Sequence, residues 1–186
     1  MSEDEAYFLD VSAVALSHAM TPYSRPALDY VQRGIAGEIE VVIPYEVLYG
    51  AQHQLEMRYN LSNPEASHRM LNLYAADSLR WVSMDSGTAS AGLHRSKNAN
   101  IEAWDGFFAE MALQADTSAI VSLDNDFERI EGPRHKNPLT PEQAKKLHQY
   151  IERLSGENRD DVDDTDPSDT QTDGGGIKSY DPTSEF

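Results

Sequence analysis

Short apolar runs that alternate with helical segments constrain the fold of this chain more than any other feature. The runs at 6–9 and 119–123 are each followed directly by an aspartate, and two further runs lie at 39–43 and 79–83. Apolar runs of this length are typical of strands that are buried on both faces of a sheet. Because the runs alternate with helices, we predict an α/β fold with a mostly parallel sheet and right-handed crossovers.

The segments between these runs carry the signals of helices. Pro26 and Pro64 stand where a first helical turn would begin, a position that does not need the missing N–H of proline. Ser12 is placed to cap a short first helix, and Gly34 to end the second. We predict helices at 13–20, from 26 to before Gly34, at 45–57, from 63, at 86–96 and at 101–115.

Four acidic residues lie where a predicted strand ends or a predicted helix begins, namely Asp10, Glu46, Asp105 and Asp124. Ligands bind at the carboxyl ends of strands in an open parallel sheet, so Asp10 and Asp124 should face one crevice. Unit charges ~5 Å apart repel by about 3 kcal/mol at an effective dielectric constant of 20, so clustered carboxylates stay ionised only around a cation. Carboxylate oxygens in a chain without cysteine favour Mg²⁺ or Mn²⁺ over zinc.

A structural role is the alternative for each of these acids. Aspartate commonly caps helices, and the chain contains 32 acidic residues that could reach such positions by chance. Glu46 and Asp105 also suit the first turn of a helix, where the helix dipole favours negative charge. Taken singly, each acid is better explained by structure. As a group they suit hydrolysis of a phosphodiester, because a divalent cation polarises the phosphate and activates water.

The net charge of −17 argues at first against a nucleic-acid substrate, because phosphate contacts normally need a basic surface. An acidic chain with few lysines also suits the cytoplasm of a halophile. In molar salt the screening length falls to roughly 3 Å, so that only groups in contact range decide whether RNA binds. We therefore predict a halophilic, in particular haloarchaeal, source.

The chain has no cysteine, which excludes disulfides, thiolate metal sites and a catalytic thiol. Its acidic first residues lack the basic and apolar regions of a signal peptide. No apolar run approaches the roughly 20 residues that cross a bilayer. We expect a cytoplasmic protein that does not associate with a membrane.

The character of the sequence changes after Pro138. Thr140 to Gln143 has the form of a capping box, and apolar residues follow it at helical spacing. We predict a C-terminal helix at 140–155 that packs on its own domain, with a partner or dimer surface as the alternative. The segment 156–186 is rich in Asp and Gly and is predicted to be disordered. The predicted organisation is a domain at 1–139, this helix and this tail.

Four runs around the acids resemble the motifs of PIN-domain ribonucleases, and especially those of the VapC toxins of toxin–antitoxin pairs. They occur in the order of that family, and the resemblance covers about residues 6–131. The combination is specific, although each run alone is weak. The runs are Phe8-Leu9-Asp10-Val11-Ser12, Glu46-Val47-Leu48-Tyr49-Gly50-Ala51, Trp104-Asp105-Gly106-Phe107-Phe108-Ala109 and Val121-Ser122-Leu123-Asp124-Asn125-Asp126-Phe127.

This resemblance implies a three-layer α/β/α fold with a four- to five-stranded parallel sheet. It also implies dependence on Mg²⁺ or Mn²⁺ and endonucleolytic cleavage of RNA by metal-activated water. The family's acidic quartet corresponds to Asp10, Glu46, Asp105 and Asp124, with Asp10 and Asp105 as the most direct metal ligands.

Other residues of the predicted site follow from the same resemblance. Ser12 corresponds to a hydroxyl position that could orient water or phosphate. Asp126 matches a frequent fifth acid and could equally cap the helix that begins near Phe127. Arg95 and Lys97 are the basic residues best placed to contact RNA phosphate, while a solvated helix end explains them as well.

The chain departs from the family pattern at two places. Glu110 stands where a small residue is usual, which adds a charge to the helix that bears Asp105. The usual last strand is weak, and Gly132-Pro133 could replace part of it. The six histidines show no spacing typical of metal ligands, so we interpret them as surface or hydrogen-bonded residues.

The sequence predicts an endoribonuclease of VapC type. The resemblance also implies a homodimer and a VapB-like antitoxin as partner. A housekeeping PIN nuclease of RNA maturation or decay is an alternative within the same class of enzyme. A PIN fold that only binds RNA or protein is a third, against which the presence of all four acids argues.

Overall fold

The computed structural model describes residues 5–160 and contains one parallel sheet within that range. The strands follow the order β3-β2-β1-β4-β5 across the sheet, and every neighbouring pair is parallel. The predicted fold class is therefore confirmed. The strands are Ala6–Leu9 (β1), Glu40–Pro44 (β2), Arg80–Val82 (β3), Ala119–Val121 (β4) and Arg134–Lys136 (β5).

The helices form a layer on each face of the sheet. Helices α1 to α4 pack against one another, whereas α5 packs on α6 and α6 also contacts β2 and β4. This arrangement follows from right-handed crossovers, because the chain changes direction across the sheet after β3. The helices are Val11–His18 (α1), Arg25–Ile35 (α2), Tyr45–Tyr59 (α3), Asn63–Tyr74 (α4), Ser86–Ala99 (α5), Ala103–Gln114 (α6) and Pro141–Asp160 (α7), with a 3-10 helix at Asn125–Arg129.

The central strands are buried because helices cover both of their faces. Phe8 and Leu9 of β1, Ile43 of β2 and Val121 of β4 are completely buried. Each such side chain stabilises the fold by roughly 1.5–3 kcal/mol relative to an exposed position. The continuous apolar runs in the sequence therefore have the cause expected for a covered parallel sheet.

Two predictions at helix ends were wrong. Asp10, rather than Ser12, caps α1, and Ser12 lies inside the helix. Helix α2 continues through Gly34, which was predicted to follow its end. A Cβ atom at Gly34 would lie 2.6 Å from Cγ2 of Val41, so this glycine allows α2 to approach β2 closely. Its role is helix–sheet packing, not helix termination.

The last strand is present although its sequence is polar. Arg134 to Lys136 pairs with β4 at the edge of the sheet and follows directly after Gly132-Pro133, which was expected to replace part of a weak last strand. The segment near Phe127 forms the 3-10 helix rather than an α-helix. The ring of His135 stacks on Phe127, with the ring centroids 6.3 Å apart. Backbone pairing and this contact hold a strand that has no apolar pattern.

Helix α7 packs on its own domain by contacts with α3. Leu147 is buried, and the Tyr150 ring meets Tyr23 edge-on at 6.3 Å. The capping box is formed, because Thr140 N donates to Gln143 Oε1 at 2.9 Å and Gln143 N donates to Thr140 Oγ1 at 3.3 Å.

The predicted helix boundary at 155 falls inside α7, which continues to Asp160. Most of the predicted tail, from 161 onwards, lies outside the described residues. None of the helices between residues 5 and 160 is long and apolar enough to cross a membrane.

Candidate functional site

The strand order reverses between β1 and β4, and this reversal creates a crevice at the carboxyl edge of the sheet. From β1 the chain passes to β2 on one side, and it reaches β4 on the other side only after α6. Open α/β sheets bind ligands at such a reversal because the loops that leave the two strands diverge there. Leu9 of β1 is in register with Val121 of β4. Asp10 and Ser122 therefore leave the two strands side by side.

The carboxylate of Asp10 is held in a fixed orientation. Asp10 is only 5% exposed, and its Oδ1 accepts a hydrogen bond from Ala13 N at 2.8 Å. Ser12 Oγ donates to Asp10 Oδ1 at 2.9 Å, and Ser122 Oγ donates to Oδ2 at 2.7 Å. Three donors from three residues thus orient this carboxylate before any ligand binds.

The two serine hydroxyls connect Asp10 to the loop after β4. Ser12 Oγ accepts from Leu123 N at 2.8 Å, and Ser122 Oγ accepts from Asp124 N at 2.9 Å. Each hydroxyl therefore donates a hydrogen bond to Asp10 and accepts one from a backbone N–H. These bonds place Asp124 relative to Asp10. The predicted role of Ser12 in orienting water or phosphate stays a prediction.

Asp105 lies in the first turn of α6, and packing against α5 fixes the position of that turn. A Cβ atom at Gly106 would lie 2.3 Å from the carbonyl oxygen of Gly92. A Cβ atom at Gly92 would lie 2.3 Å from Cδ1 of Phe107. The two helices cross at a separation that only glycine permits at these two points. The position of Asp105 therefore depends on a backbone-to-backbone contact.

Burial and neighbouring negative charges raise the pKa of two carboxyl groups at this edge, Asp10 and Asp105. Burial raises the pKa of Asp10 to about 6, and the charge of Asp124 adds to the shift. Hydrogen bonds from Ala13, Ser122 and Ser12 act in the opposite direction. For Asp105, burial is again the largest cause, and the pKa rises to about 7. The remaining causes of the Asp105 shift are the charges of Asp124, Asp10, Glu102 and Asp126.

Asp124 and Asp126 have different local roles. Asp124 caps the 3-10 helix, since its Oδ1 accepts from Asp126 N at 2.9 Å. Asp126 forms an ion pair with Arg129 at 3.2 Å. The cap considered for Asp126 is therefore provided by Asp124. Asp126 nevertheless lies near enough to Asp105 to raise the pKa of that carboxyl group.

Glu46 lies in the first turn of α3, directly after β2. Its Oε1 accepts from Met84 N at 3.1 Å, whereas its Oε2 is buried and has no hydrogen-bond partner among the described residues. Glu46 is not among the charges that raise the pKa of Asp10 or Asp105. The structure thus couples three of the four predicted acids electrostatically and holds the fourth beside the neighbouring strand.

The predicted substrate contacts at Arg95 and Lys97 have different surroundings. Arg95 pairs with Glu110, with its Nη2 at 2.9 Å from Oε2, and its Nη1 donates to the carbonyl oxygen of Glu131 at 3.1 Å. This pair also accounts for the unexpected charge at Glu110. Lys97 is exposed in the last turn of α5. Their proposed contact with RNA stays a prediction.

Ser122 is a site residue that sequence reasoning missed. It is completely buried, and its side chain joins Asp10 to Asp124. His135 supports it from β5, with Nε2 3.1 Å from the carbonyl oxygen of Ser122. Ser122 follows β4 at the same level as Asp10 follows β1, and this equivalence is the signal that could have identified it.

The donor set fits a divalent cation such as Mg²⁺ or Mn²⁺. Its atoms are carboxylate oxygens that repel one another, and Glu46 adds a buried oxygen without a partner. Hard oxygen donors of this kind are the ligands that Mg²⁺ and Mn²⁺ prefer. Across residues 5–160, no three acidic or histidine side chains converge on one point in their present rotamers.

The strand order, the two helical layers and the acidic crevice define a PIN-like α/β protein. No protein-family model and no curated protein matches the sequence. Among solved structures, the chain is similar to VapC20 of Mycobacterium tuberculosis, described as a sarcin–ricin loop cleaving toxin. That match has a TM-score of 0.53 and 16% identity, and covers 66% of this chain and 92% of VapC20.

A second solved structure, PAE2754 from Pyrobaculum aerophilum, has the same overall arrangement. This match has a TM-score of 0.52 and 15% identity, and covers 82% of this chain and 90% of PAE2754. Both similarities extend over most of the matched structure. They show a shared fold, which confirms the architecture implied by the sequence motifs.

Proposed function

We propose that this protein is an endoribonuclease that depends on Mg²⁺ or Mn²⁺ and hydrolyses RNA phosphodiesters. The observation that carries the proposal is that Asp10, Asp105 and Asp124, from three separate elements at the strand-order reversal, lie near enough for their charges to act on one another. Burial and repulsion, which raise the pKa of Asp10 and Asp105, make these ionised carboxylates costly for the fold. Perturbed carboxylates in a crevice are typical of functional sites rather than of structural caps.

Each residue of the cluster has a distinct task in this proposal. Asp10, Asp105 and Asp124 would hold the cation, with Glu46 completing the set from the first turn of α3. When bound, the cation supplies Lewis-acid polarisation of the phosphodiester and lowers the pKa of water. Ser12 and Ser122 keep the Asp10 carboxylate oriented, so little reorganisation of that ligand is needed.

We further propose that the enzyme is a VapC-type toxin. Support comes from the motif order in the sequence and from the fold shared with VapC20, a toxin described as cleaving the sarcin–ricin loop. A VapB-like antitoxin and a homodimer belong to the same proposal. The housekeeping nuclease remains the alternative, because it would use the same carboxylates.

The acidic composition decides the conditions in which activity should be sought. A chain with a net charge of −17 repels RNA in dilute buffer, whereas molar KCl screens that repulsion. We propose that the protein works in the cytoplasm of a halophile. Cleavage assays should therefore include molar KCl together with Mn²⁺ or Mg²⁺.

The decisive experiment compares cleavage of total RNA by the wild type with cleavage by Asp10→Asn and Asp105→Asn. We expect a loss of at least about 100-fold in each variant, because each removes a charge that would stabilise the cation and the transition state. Asp77→Asn is the matched control. Asp77 is exposed just before β3, at the amino ends of the parallel strands and thus opposite the carboxylates. This variant should cleave normally.

Two results would contradict the nuclease proposal. One is a wild type that cuts no RNA with either metal, and the other is an Asp10→Asn variant that cuts as fast as the wild type. The toxin proposal has its own test, which is expression in a host cell. The wild type should arrest growth, Asp10→Asn should not, and co-expression of an adjacent small gene should relieve the arrest.

A further inference from the structure

A cavity of about 640 Å³ lies between α5, α6 and the segment that follows the 3-10 helix. Its polar lining consists of His94, Arg95, Asn98, Glu110, Arg129 and Glu131. The volume is within the range of about 300–1,000 Å³ that is usual for pockets that bind small molecules or single building blocks of a polymer. None of these residues belongs to the carboxylate cluster.

The charge of this cavity contrasts with that of the chain. Two arginines meet there in a protein with 32 acidic and 15 basic residues. The lining also holds two glutamates, of which Glu110 pairs with Arg95 at 2.9 Å, so its two positive charges balance its two negative charges. An anion that enters therefore meets guanidinium and amide donors close to the acidic crevice.

Arg95 is preorganised as a donor. Its Nε and Nη2 bond Glu110, and its Nη1 bonds the carbonyl oxygen of Glu131. These bonds use three of the five N–H groups of the guanidinium, which leaves two without a partner in the described part of the chain. Because the side chain is already fixed, little entropy is lost when a ligand accepts the remaining N–H groups.

Arg129 connects the cavity with the carboxylate cluster. Its side chain is 58% exposed, and Nη1 pairs with Asp126 at 3.2 Å. An exposed ion pair contributes little stability, so a phosphate can compete with Asp126 for this guanidinium. Asp126 in turn lies near enough to Asp105 to raise the pKa of that carboxyl group. Arg129 therefore lines the cavity and also pairs with an acid whose charge acts on Asp105.

Glu110 follows Asp105 by five residues, which is about 7.5 Å along the axis of α6 but on a different face of the helix. Glu110 pairs with Arg95 of α5, and the link between the cavity and the carboxylates is made by Arg129 and Asp126. The planar guanidinium of arginine can donate two parallel hydrogen bonds to the two unesterified oxygens of a phosphodiester.

We propose that this cavity is a binding subsite for a nucleotide that adjoins the scissile phosphodiester, with its phosphate held by Arg129 and Arg95. The subsite explains how a strongly acidic protein retains a polyanionic substrate in molar salt, where long-range attraction is screened and contact-range groups decide binding. This inference rests on the proposed ribonuclease function, and its test must separate the two.

The test measures RNA binding without cleavage. The probe is a fluorescein-labelled pool of random 12-nucleotide RNA, titrated by fluorescence anisotropy against the Asp10→Asn protein in KCl from 0.2 to 2 M. Adding Arg129→Gln should weaken binding about tenfold, because the charged hydrogen bonds from the guanidinium to the phosphate are lost. It should also reduce the slope of log K against log salt by about 0.7, the value for one phosphate contact on a single strand.

Two matched variants control for net charge. Arg153→Gln makes the same charge change on α7, which packs on α3 in the opposite helical layer, and should bind like its parent. Glu131→Gln removes a negative charge from the cavity wall and should strengthen binding about twofold, a typical effect of one exposed charge. Equal weakening in Arg129→Gln and Arg153→Gln would overturn the subsite. Unchanged binding in Arg129→Gln or in Glu131→Gln would overturn it as well.

Cleavage kinetics distinguish failure of this inference from failure of the proposed function. In the active protein, Arg129→Gln should raise KM about tenfold with little change in kcat, which is the signature of lost uniform binding. If the wild type cuts no RNA, the ribonuclease proposal fails whatever the binding data show. If the wild type cuts RNA and Arg129→Gln has the same KM, only the subsite fails.

Discussion

The two halves of the carboxylate cluster are held in place by different means. Asp10 is oriented by hydrogen bonds from Ser12 and Ala13 in the first turn of α1 and from Ser122 directly after β4. Asp105 instead takes its position from α6, which is set against α5 by the contact between Gly92 and Gly106. One half depends on polar bonds and the other on close packing. Mutations should therefore disrupt them through different measurable quantities.

The largest effect is expected at the packing contact. In Gly106→Ala the new methyl group would lie 2.3 Å from the carbonyl oxygen of Gly92, an obstacle that cannot rotate away. The helices must separate, so the free energy of unfolding should fall by about 1–3 kcal/mol. RNA cleavage should fall as well, because Asp105 moves with α6. Urea unfolding and the cleavage assay measure the two effects.

Gly87→Ala is the control for Gly106→Ala. Gly87 lies in the first turn of α5, and an added Cβ would find its nearest neighbour, Asp85 Oδ1, at 3.4 Å. Alanine is a better helix former than glycine, so stability should rise by roughly 0.5–1 kcal/mol. If both variants were equally stable, the backbone contact would not control the position of α6.

A mutation in the polar half should have a smaller effect on stability and should also change the pKa of Asp10. Ser122→Ala removes the donor to Asp10 Oδ2 and the acceptor for Asp124 N, both of which lie in a buried network. We expect a loss of about 1–2 kcal/mol in urea unfolding, because buried polar groups lose their partner. The pKa of Asp10 should rise further, since one hydrogen bond to its charged form is lost.

Ser78→Ala separates this effect from the general cost of removing a hydroxyl group. Ser78 is exposed, and its Oγ donates to the carbonyl oxygen of Ile35 outside the site. Its replacement should change the free energy of unfolding by less than about 0.5 kcal/mol. A loss in Ser122→Ala no larger than in Ser78→Ala would show that the Asp10 network contributes little to the fold.

The sequence predicted the parts of this comparison that depend on local pattern. The runs before Asp10 and Asp124 are strands because helices cover both faces of the sheet, and this burial leaves a continuous apolar signal. The fold class, the placement of Asp10 and Asp124 after strands and the capping box of α7 can all be predicted from local pattern.

The features that were missed depend on distant partners. Ser122 acquires its role from Asp10, 112 residues away, and only the register between β1 and β4 brings them together. The local pattern predicts a helix end at Gly34. In the structure this glycine instead lets α2 pack closely against Val41 of β2, a contact that no local pattern reveals. The polar strand β5 has no periodicity because it lies at the edge of the sheet.

The smallest effect is a difference in pH dependence, and it concerns charge instead of position. In the protein without metal, the pKa of Asp105 is raised from its ordinary value to about 7. A raised pKa means that the folded state favours the protonated carboxyl group. Its stabilising contribution is complete below the ordinary pKa and is lost as the pH rises through about 7.

Asp105→Asn should imitate the protonated side chain at every pH. Its melting temperature should therefore exceed that of the wild type at pH 8 and approach it at pH 5, when both are measured in EDTA. Since Asp105 is half-buried, we expect a difference of only about 2–4 °C, which corresponds to about 1 kcal/mol for a domain of this size. A difference that is constant between pH 5 and pH 8 would contradict the raised pKa of Asp105.

Mn²⁺ should reverse the order of the two proteins. A cation replaces repulsion among the carboxylates by attraction, so it should raise the melting temperature of the wild type at pH 8 more than that of Asp105→Asn. Asp77→Asn, at the amino ends of the parallel strands, should follow the wild type with and without Mn²⁺. Equal Mn²⁺ shifts in all three proteins would mean that the ion binds to general surface acidity. The cluster would then lack specific binding of a divalent cation, the property that the proposed function requires of it.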